Sequence, residues 1–262
     1  MIPFKSTSIN YNDQGQGNVI ILLHGYLETH QIWESFAVEL AKNFRVISID
    51  IPGHGKSGKV AETHTMDLMA ESVDAVLRNL KIDKAVVVGH SMGGYVALSY
   101  LANYQQKVSG ICLFHSNPFA DSEEKKTNRN REIQIIKQGK QELLFTTNPA
   151  KSFADDNLER LKDKVKWAQA IAAQSPPEGI IALLEGMKIR PDRQDLLKET
   201  HIPVLYILGK KDNYIPFELM YPVAKRSPKG EILTLDNSGH MGFIEEEGVC
   251  LEAMKSFVLE HY

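Results

Sequence analysis

Lys84-Ala85-Val86-Val87-Val88-Gly89-His90-Ser91-Met92-Gly93-Gly94-Tyr95 is the stretch whose reading decides the fold. Its first half is a short apolar run of the kind found in strands buried on both faces, as in a parallel sheet. Its second half opens Met92–Tyr104, read as a helix. Between them lies the spacing G-x-S-x-G, from Gly89 to Gly93. A tight strand-to-helix turn holds its central serine in a sparsely allowed conformation, with the hydroxyl projecting from the carboxyl edge of the sheet. Glycine stands at both ends because a side chain there would collide with the adjoining strand and helix. The Met92 N–H lies at a helix amino terminus, where unpaired donors and the helix dipole favour negative charge.

Working outward, the same alternation recurs. Val19–Leu23, Phe44–Ile49, Val108–Phe114, Val204–Leu208 and Glu231–Leu235 read as further strands, and Gln31–Lys42, Thr65–Leu80, Pro216–Lys225 and Ile244–Leu259 as helices. In Thr65–Leu80 the apolar Leu68, Met69, Val73, Val76, Leu77 and Leu80 recur at helical spacing, with Asp67, Glu71, Asp74 and Arg78 opposite. This alternation predicts right-handed βαβ units and an α/β fold built on a doubly wound, mostly parallel sheet. Phe4–Tyr11 alternates weakly and is expected to add an antiparallel edge strand. Between Asn117 and Glu185 the pattern breaks. Charge is denser, no strand-like run occurs, and Glu123–Lys137, Leu158–Gln174 and Glu178–Met187 read as helices punctuated by Pro149 and Pro176-Pro177. The expected organisation is a core of residues 1–116 and 186–262 with a helical cap, 117–185, lying on top. The alternative is that these are further crossover helices of the sheet.

The 262 residues suit one domain with an insertion, and 43% hydrophobic with 24% charged residues excludes a disordered or fibrous chain. A net charge of −3 gives no broad pull toward nucleic acid or an anionic membrane. Cys112 and Cys250 sit among apolar neighbours and read as buried free thiols, which fits a reducing cytoplasm. The amino terminus lacks the apolar region of a signal peptide, and no run is long enough to span a bilayer.

A serine hydroxyl needs a base to take its proton, and histidine is the usual one. Of nine histidines, His240 stands out, in the polar, glycine-flanked loop Asn237-Ser238-Gly239-His240-Met241-Gly242 after the last strand. Ligands of a doubly wound sheet gather at such strand ends. His90 is read as pointing away by alternation, and His30, His64, His201 and His261 as surface residues. The base needs an acceptor to fix its tautomer, and Asp212, after the strand Val204–Leu208, supplies a carboxylate there. The segment His115-Ser116-Asn117-Pro118 offers no carboxylate before Asp121. Asp50 is expected to orient its own turn, and His24 to brace the loop His24-Gly25-Tyr26-Leu27. That loop follows the strand Val19–Leu23, so the Tyr26 N–H is expected to face the Met92 N–H as a second oxyanion donor. Tyr26, Met92, Tyr214 and Met241, with Phe119, Phe145 and Trp167 from the insertion, are the candidate pocket residues. Their aromatic and Met character predicts an apolar acyl or alcohol group.

The order Ser91, Asp212, His240 and its five motifs resemble the α/β-hydrolase superfamily: His24-Gly25 before the helix bearing Trp33, Asp50 to Ser57, Gly89 to Gly94, Gly209 to Asp212, and Gly239-His240. The resemblance covers essentially the whole chain. It implies the α/β-hydrolase fold, a cap over the pocket, and cleavage of a small ester or thioester through an acyl-enzyme on Ser91, with no metal or organic cofactor. Haloalkane dehalogenase and epoxide hydrolase chemistry would need a carboxylate at position 91 and are excluded. A perhydrolase shares the trio and stays open. A carbon–carbon bond hydrolase also shares it, and the lack of an arginine beside the motifs counts slightly against it. From a different class, a small-molecule receptor on the same fold is the remaining alternative.

Overall fold

Successive residues of the strand that leads to Ser91 enter opposite hydrophobic clusters. Ala85 and Val87 belong to one, Val86 and Val88 to the other, and all four are fully buried. Burying each valine contributes roughly 1.5–3 kcal/mol. A strand apolar on both faces needs layers on both sides, and the fold supplies them. In the computed structural model, which describes residues 1–262, the strands are β1 (Ile2–Phe4), β2 (Thr7–Ile9), β3 (Tyr11–Gln14), β4 (Val19–Leu23), β5 (Arg45–Ile49), β6 (Ala85–His90), β7 (Val108–Phe114), β8 (Val204–Gly209) and β9 (Gly230–Leu235). The helices are α1 (Glu34–Leu40), α2 (Met66–Asn79), α3 (Met92–Tyr104), α4 (Glu123–Lys137), α5 (Glu142–Ser152), α6 (Lys162–Ala172), α7 (Pro177–Lys188), α8 (Gln194–Glu199), α9 (Phe217–Lys225), α10 (Gly242–Glu245) and α11 (Glu247–His261).

Seven strands form the main sheet in the order β3-β5-β4-β6-β7-β8-β9. All pairings are parallel except β3 against β5. Every strand from β4 to β9 therefore ends on one rim. The register aligns Leu23 with Gly89, His90 with Phe114, and Gly209 with Leu235, so the loops after β4, β6, β7, β8 and β9 emerge side by side.

The amino terminus departs from the single edge strand expected over Phe4–Tyr11. Lys5 at φ 49 turns the chain, β1 and β2 form their own antiparallel hairpin, and the sheet's edge strand is displaced to β3. The helix expected over Gln31–Lys42 begins as a 3-10 turn, His30–Trp33, capped by the Thr29 hydroxyl. Between β7 and β8 the chain adds no strand. Glu123–Lys137 is helical as expected, whereas Leu158–Gln174 shortens to α6. Two further helices there, α5 and α8, carry no clear sequence signal, since α5 has Pro149 inside it. No helix is long and apolar enough to cross a membrane.

Candidate active site

Ser91 sits at φ 49, ψ −115, a conformation non-glycine residues rarely adopt, and its N–H donates to Phe114 O at 2.9 Å. The neighbouring glycines explain how the turn stays this tight. A Cβ on Gly89 would stand 2.3 Å from Gly93 O, and one on Gly93 would stand 2.3 Å from Leu23 O. Leu27, in the loop after β4, and His115, directly after β7, also have positive φ. Three of the five non-glycine residues with positive φ therefore stand in the loops of one rim.

His240 Nδ1 donates to Asp212 Oδ2 at 2.8 Å, which leaves Nε2 unprotonated and available as a base. Asp212 Oδ1 accepts the Tyr214 and Ile215 N–H groups at 2.8 and 2.9 Å. Burial alone would raise this carboxyl, but His240 and His115 outweigh it and hold Asp212 well below the usual carboxylate range. Ser91 and His240 line the same cavity, of about 390 Å³. No hydrogen bond joins the Ser91 hydroxyl to the imidazole, a contact that often tightens only when substrate is bound. Tyr26 and Met92 also line this cavity, on adjacent loops after β4 and β6.

The structure adds residues whose part was not read from the sequence. His90 does not point away. Its ring lies 4.9 Å from that of His240, with Nδ1 on Glu28 Oε2 at 2.9 Å and Nε2 on the His240 carbonyl at 2.8 Å. Both nitrogens face acceptors, so both donate and the ring is an imidazolium. Burial opposes that charge, but Glu28 outweighs it and raises the His90 pKa; the pairing likewise lowers that of Glu28 against its burial. Glu28 Oε2 also accepts the Gly25 N–H at 2.6 Å. One buried chain of hydrogen bonds therefore ties the Tyr26 loop, the serine turn and the His240 loop together.

His115 is the second missed histidine. Its Nε2 accepts the Gly242 N–H at 3.1 Å, so Nδ1 carries the proton and lies 3.3 Å from Asp212 Oδ2. Burial pushes its pKa down to about 4, so it stands beside Asp212 as a neutral ring whose Nδ1 makes no well-aligned hydrogen bond. His115, Asp212 and His240 lie close enough together to be weighed as a metal site. Asp212 Oδ2 is already paired with the proton on His240 Nδ1, and His115 Nδ1 carries a proton of its own, so the facing atoms are not free to ligate an ion. Glu245 holds the His240 loop from below, accepting the Gly239 and Met241 N–H groups through Oε1 and the Ala154 N–H through Oε2. No motif singled out Glu28 or Glu245, because a lone buried carboxylate has no sequence pattern. The ring at position 90 could have been flagged by its place in the turn itself.

Two minor expectations hold. Asp50 accepts from the His30 and Lys56 backbone N–H groups, and His24 Nε2 accepts from Ile51 N at 3.0 Å. His64 does not lie on the surface; it is fully buried, with Nε2 accepting the Val60 N–H at 3.1 Å.

The pocket wall departs most from the sequence reading. Tyr26, Met92, Tyr214 and Met241 line the cavity, but Phe119, Phe145 and Trp167 do not. Phe145 lies one turn back on the α5 face that presents Asn148, Pro149 and Ser152, and there it enters the core. On α6 Ala168 reaches the cavity, while Trp167, one residue round the helix, packs elsewhere. In their place α4 presents Lys125, Asn128, Arg129 and Glu132, so the wall is polar. The slight objection to a carbon–carbon bond hydrolase, that no arginine stands beside the motifs, loses its weight, because Arg129 lines the cavity.

A sequence profile described as alpha/beta hydrolase fold matches residues 18–247. The chain belongs to the alpha/beta hydrolase fold family. This hydrolase-fold chain is 30% identical over 245 residues to the AB hydrolase superfamily protein YisY of Bacillus subtilis, covering 90% of this chain and 89% of that one. It is 29% identical to a pimeloyl-[acyl-carrier protein] methyl ester esterase of Vibrio campbellii, over 94% of this chain and 97% of that one. Among solved structures, a thermophilic esterase from Thermogutta terrifontis, in its malate-bound form, superposes with a TM-score of 0.94 at 27% identity, covering 98% of this chain and 95% of that one.

Proposed function

We propose that the protein is a serine hydrolase that cleaves carboxylic ester bonds of small molecules through an acyl-enzyme on Ser91. The observation that carries this reading is the 2.8 Å bond from His240 Nδ1 to the buried Asp212 carboxylate, in a cavity shared with a strained Ser91 at a helix amino terminus. The similarity to esterases over nearly the whole chain supports it.

In the proposed reaction His240 Nε2 takes the Ser91 proton as the oxygen attacks the ester carbonyl. Asp212 holds the imidazole and stabilises its charged form. The N–H groups of Tyr26 and Met92 receive the developing oxyanion, and donors of this kind typically matter by ~10²–10³ in rate. His240 then protonates the leaving alcohol, water attacks the acyl-enzyme with His240 again as base, and the acid departs. The Glu28–His90 pair acts through the backbone, fixing the loops that carry these groups. Residues 117–185 serve as a cap over the pocket, with α4 and α5 forming its roof. The buried, unbridged Cys112 and Cys250 suit work in the cytoplasm.

The cations in the cavity also lend weight to a second reading, a carbon–carbon bond hydrolase acting on an acidic ketone with the same trio. Ser91→Ala tests the main reading: assayed on a short-chain aryl ester, it is expected to lose essentially all turnover while keeping its thermal midpoint. Turnover at the wild-type level would reject the assignment, and activity on acidic diketones without any on esters would favour the second reading.

A further inference from the structure

Residues 125, 128, 129 and 132 are spaced i, i+3, i+4 and i+7, so they form a single stripe of α4 facing the cavity. The stripe's charge can be counted. Asp121 accepts from Arg129 on one side and from Arg190 on the other, all three buried or nearly so. One carboxylate neutralises one guanidinium, so this cluster retains a positive charge. Arg190 is turned away, stacked 4.0 Å over the Tyr95 ring, whereas Arg129 lines the cavity. Lys125 adds a second charge. Its neighbour Lys126 pairs with Glu123 on the outer face, while Lys125, half-buried, faces inward with no carboxylate to pair with. Lys151 stands at the mouth over Tyr214.

The acidic residues of the lining do not cancel this charge. Glu28 is matched by His90. Burial raises the Glu132 pKa against the pull of Tyr26 and Arg129, and even a fully ionised Glu132 brings one negative charge against the two positive charges of the arginine cluster and Lys125.

We propose that this stripe is a subsite for a carboxylate carried by the substrate, with Lys125 and Arg129 as the residues that bind it. The inference rests on the ester-hydrolase reading of the same cavity and names its substrate class: a half-ester of a short dicarboxylic acid, in which one carboxyl is esterified and faces Ser91 while the other stays ionised at the α4 wall. A single negative charge fits this wall better than a doubly charged phosphate, since one of its two cations is already shared with Asp121. The free acid, rather than a simple fatty ester, is what makes a polar wall useful. A neutral alkyl chain would strip water from Lys125 and Arg129 without replacing it.

The test uses three methyl esters of nearly equal shape: monomethyl adipate, its neutral amide methyl adipamate, and the cationic methyl aminohexanoate. Methanol release gives kcat/KM for each. The wild-type protein is expected to favour the acid over the amide by about 10-fold or more, the range of one charge-assisted hydrogen bond, and to disfavour the amine. In Lys125→Glu the acid-to-amide ratio is expected to fall by at least about 10-fold and the amine to gain. Equal rates for acid and amide in the wild type, or an unchanged ratio in Lys125→Glu, would overturn the subsite. Binding of monomethyl adipate and methyl adipamate to Ser91→Ala by calorimetry reads the same subsite without chemistry: tighter binding of the acid that weakens in Ser91→Ala/Lys125→Glu supports it, and equal affinities overturn it. Absence of Ser91-dependent methanol release from all three esters would instead count against the hydrolase reading.

Discussion

Glu28→Gln is the most informative perturbation of the framework, because it keeps the size of the side chain and removes only its charge. Glu28 Oε2 accepts from Gly25 N at 2.6 Å and from His90 Nδ1 at 2.9 Å. Hydrogen bonds to a charged group contribute about 1.5–3 kcal/mol each, against about 0.5–1.5 kcal/mol for neutral ones. The difference over two bonds is about 2–3 kcal/mol, or a fall of about 5–10 °C in melting temperature for a domain of this size. The effect should also depend on pH. His90 has a folded pKa raised above its ordinary 6.5, so its share of the stabilisation is complete below that value and is lost as pH rises through the folded pKa. Glu28 has a folded pKa below its ordinary 4.5, so its share is present above that value and lost only in stronger acid. The pair is therefore strongest between these limits. Melting curves of wild type and Glu28→Gln at about pH 6 and in steps upward through the alkaline range should show a gap that is wide at the first and narrows as His90 loses its proton. A gap that keeps its width after His90 has been shown by NMR to lose its proton would refute the charged pair, and a negligible gap at about pH 6 would show that the chain of hydrogen bonds contributes nothing measurable.

Other outcomes follow from the same geometry. Asp212→Asn removes the acceptor that fixes the His240 tautomer, and steady-state kinetics should show kcat falling by about 10⁴ with the cavity residues unchanged. Gly93→Ala would drive its Cβ to 2.3 Å from Leu23 O and 2.7 Å from His24 O, both backbone, so it should destabilise the fold strongly in thermal melts. Gly248→Ala, in the helix Glu247–His261 with nothing near its Cβ, should instead stabilise by about 0.4–1 kcal/mol.

The sheet could be read from the chain because its strands are apolar on both faces and its turns carry glycines that the structure shows to be sterically required. Gly89, Gly93 and His240 stand in local patterns whose meaning is set within a few residues. The pocket wall was opaque for the opposite reason. Lys125, Asn128, Arg129 and Glu132 look like an ordinary solvated helix face until the fold brings that face to the cavity that Ser91 also lines. Phe145 and Trp167 look like lining residues and are packed away, since an apolar ring on an insertion helix serves the core as readily as a ligand. Glu28, His115 and Glu245 act through partners 62, 127 and 91 residues distant, separations no local motif records. Alternation led His90 astray because it says which side a ring leaves the strand, not which loop returns to meet it.

In the proposed reaction His240, held by Asp212, makes Ser91 the nucleophile. A fluorophosphonate that phosphonylates activated serines tests it most directly. Intact-mass and peptide mass spectrometry should show a single adduct, on Ser91, forming rapidly in the wild type and at least about 100-fold more slowly in His240→Ala. An adduct on another residue, or labelling of Ser91 at the same rate without His240, would rule out a nucleophilic serine activated by His240.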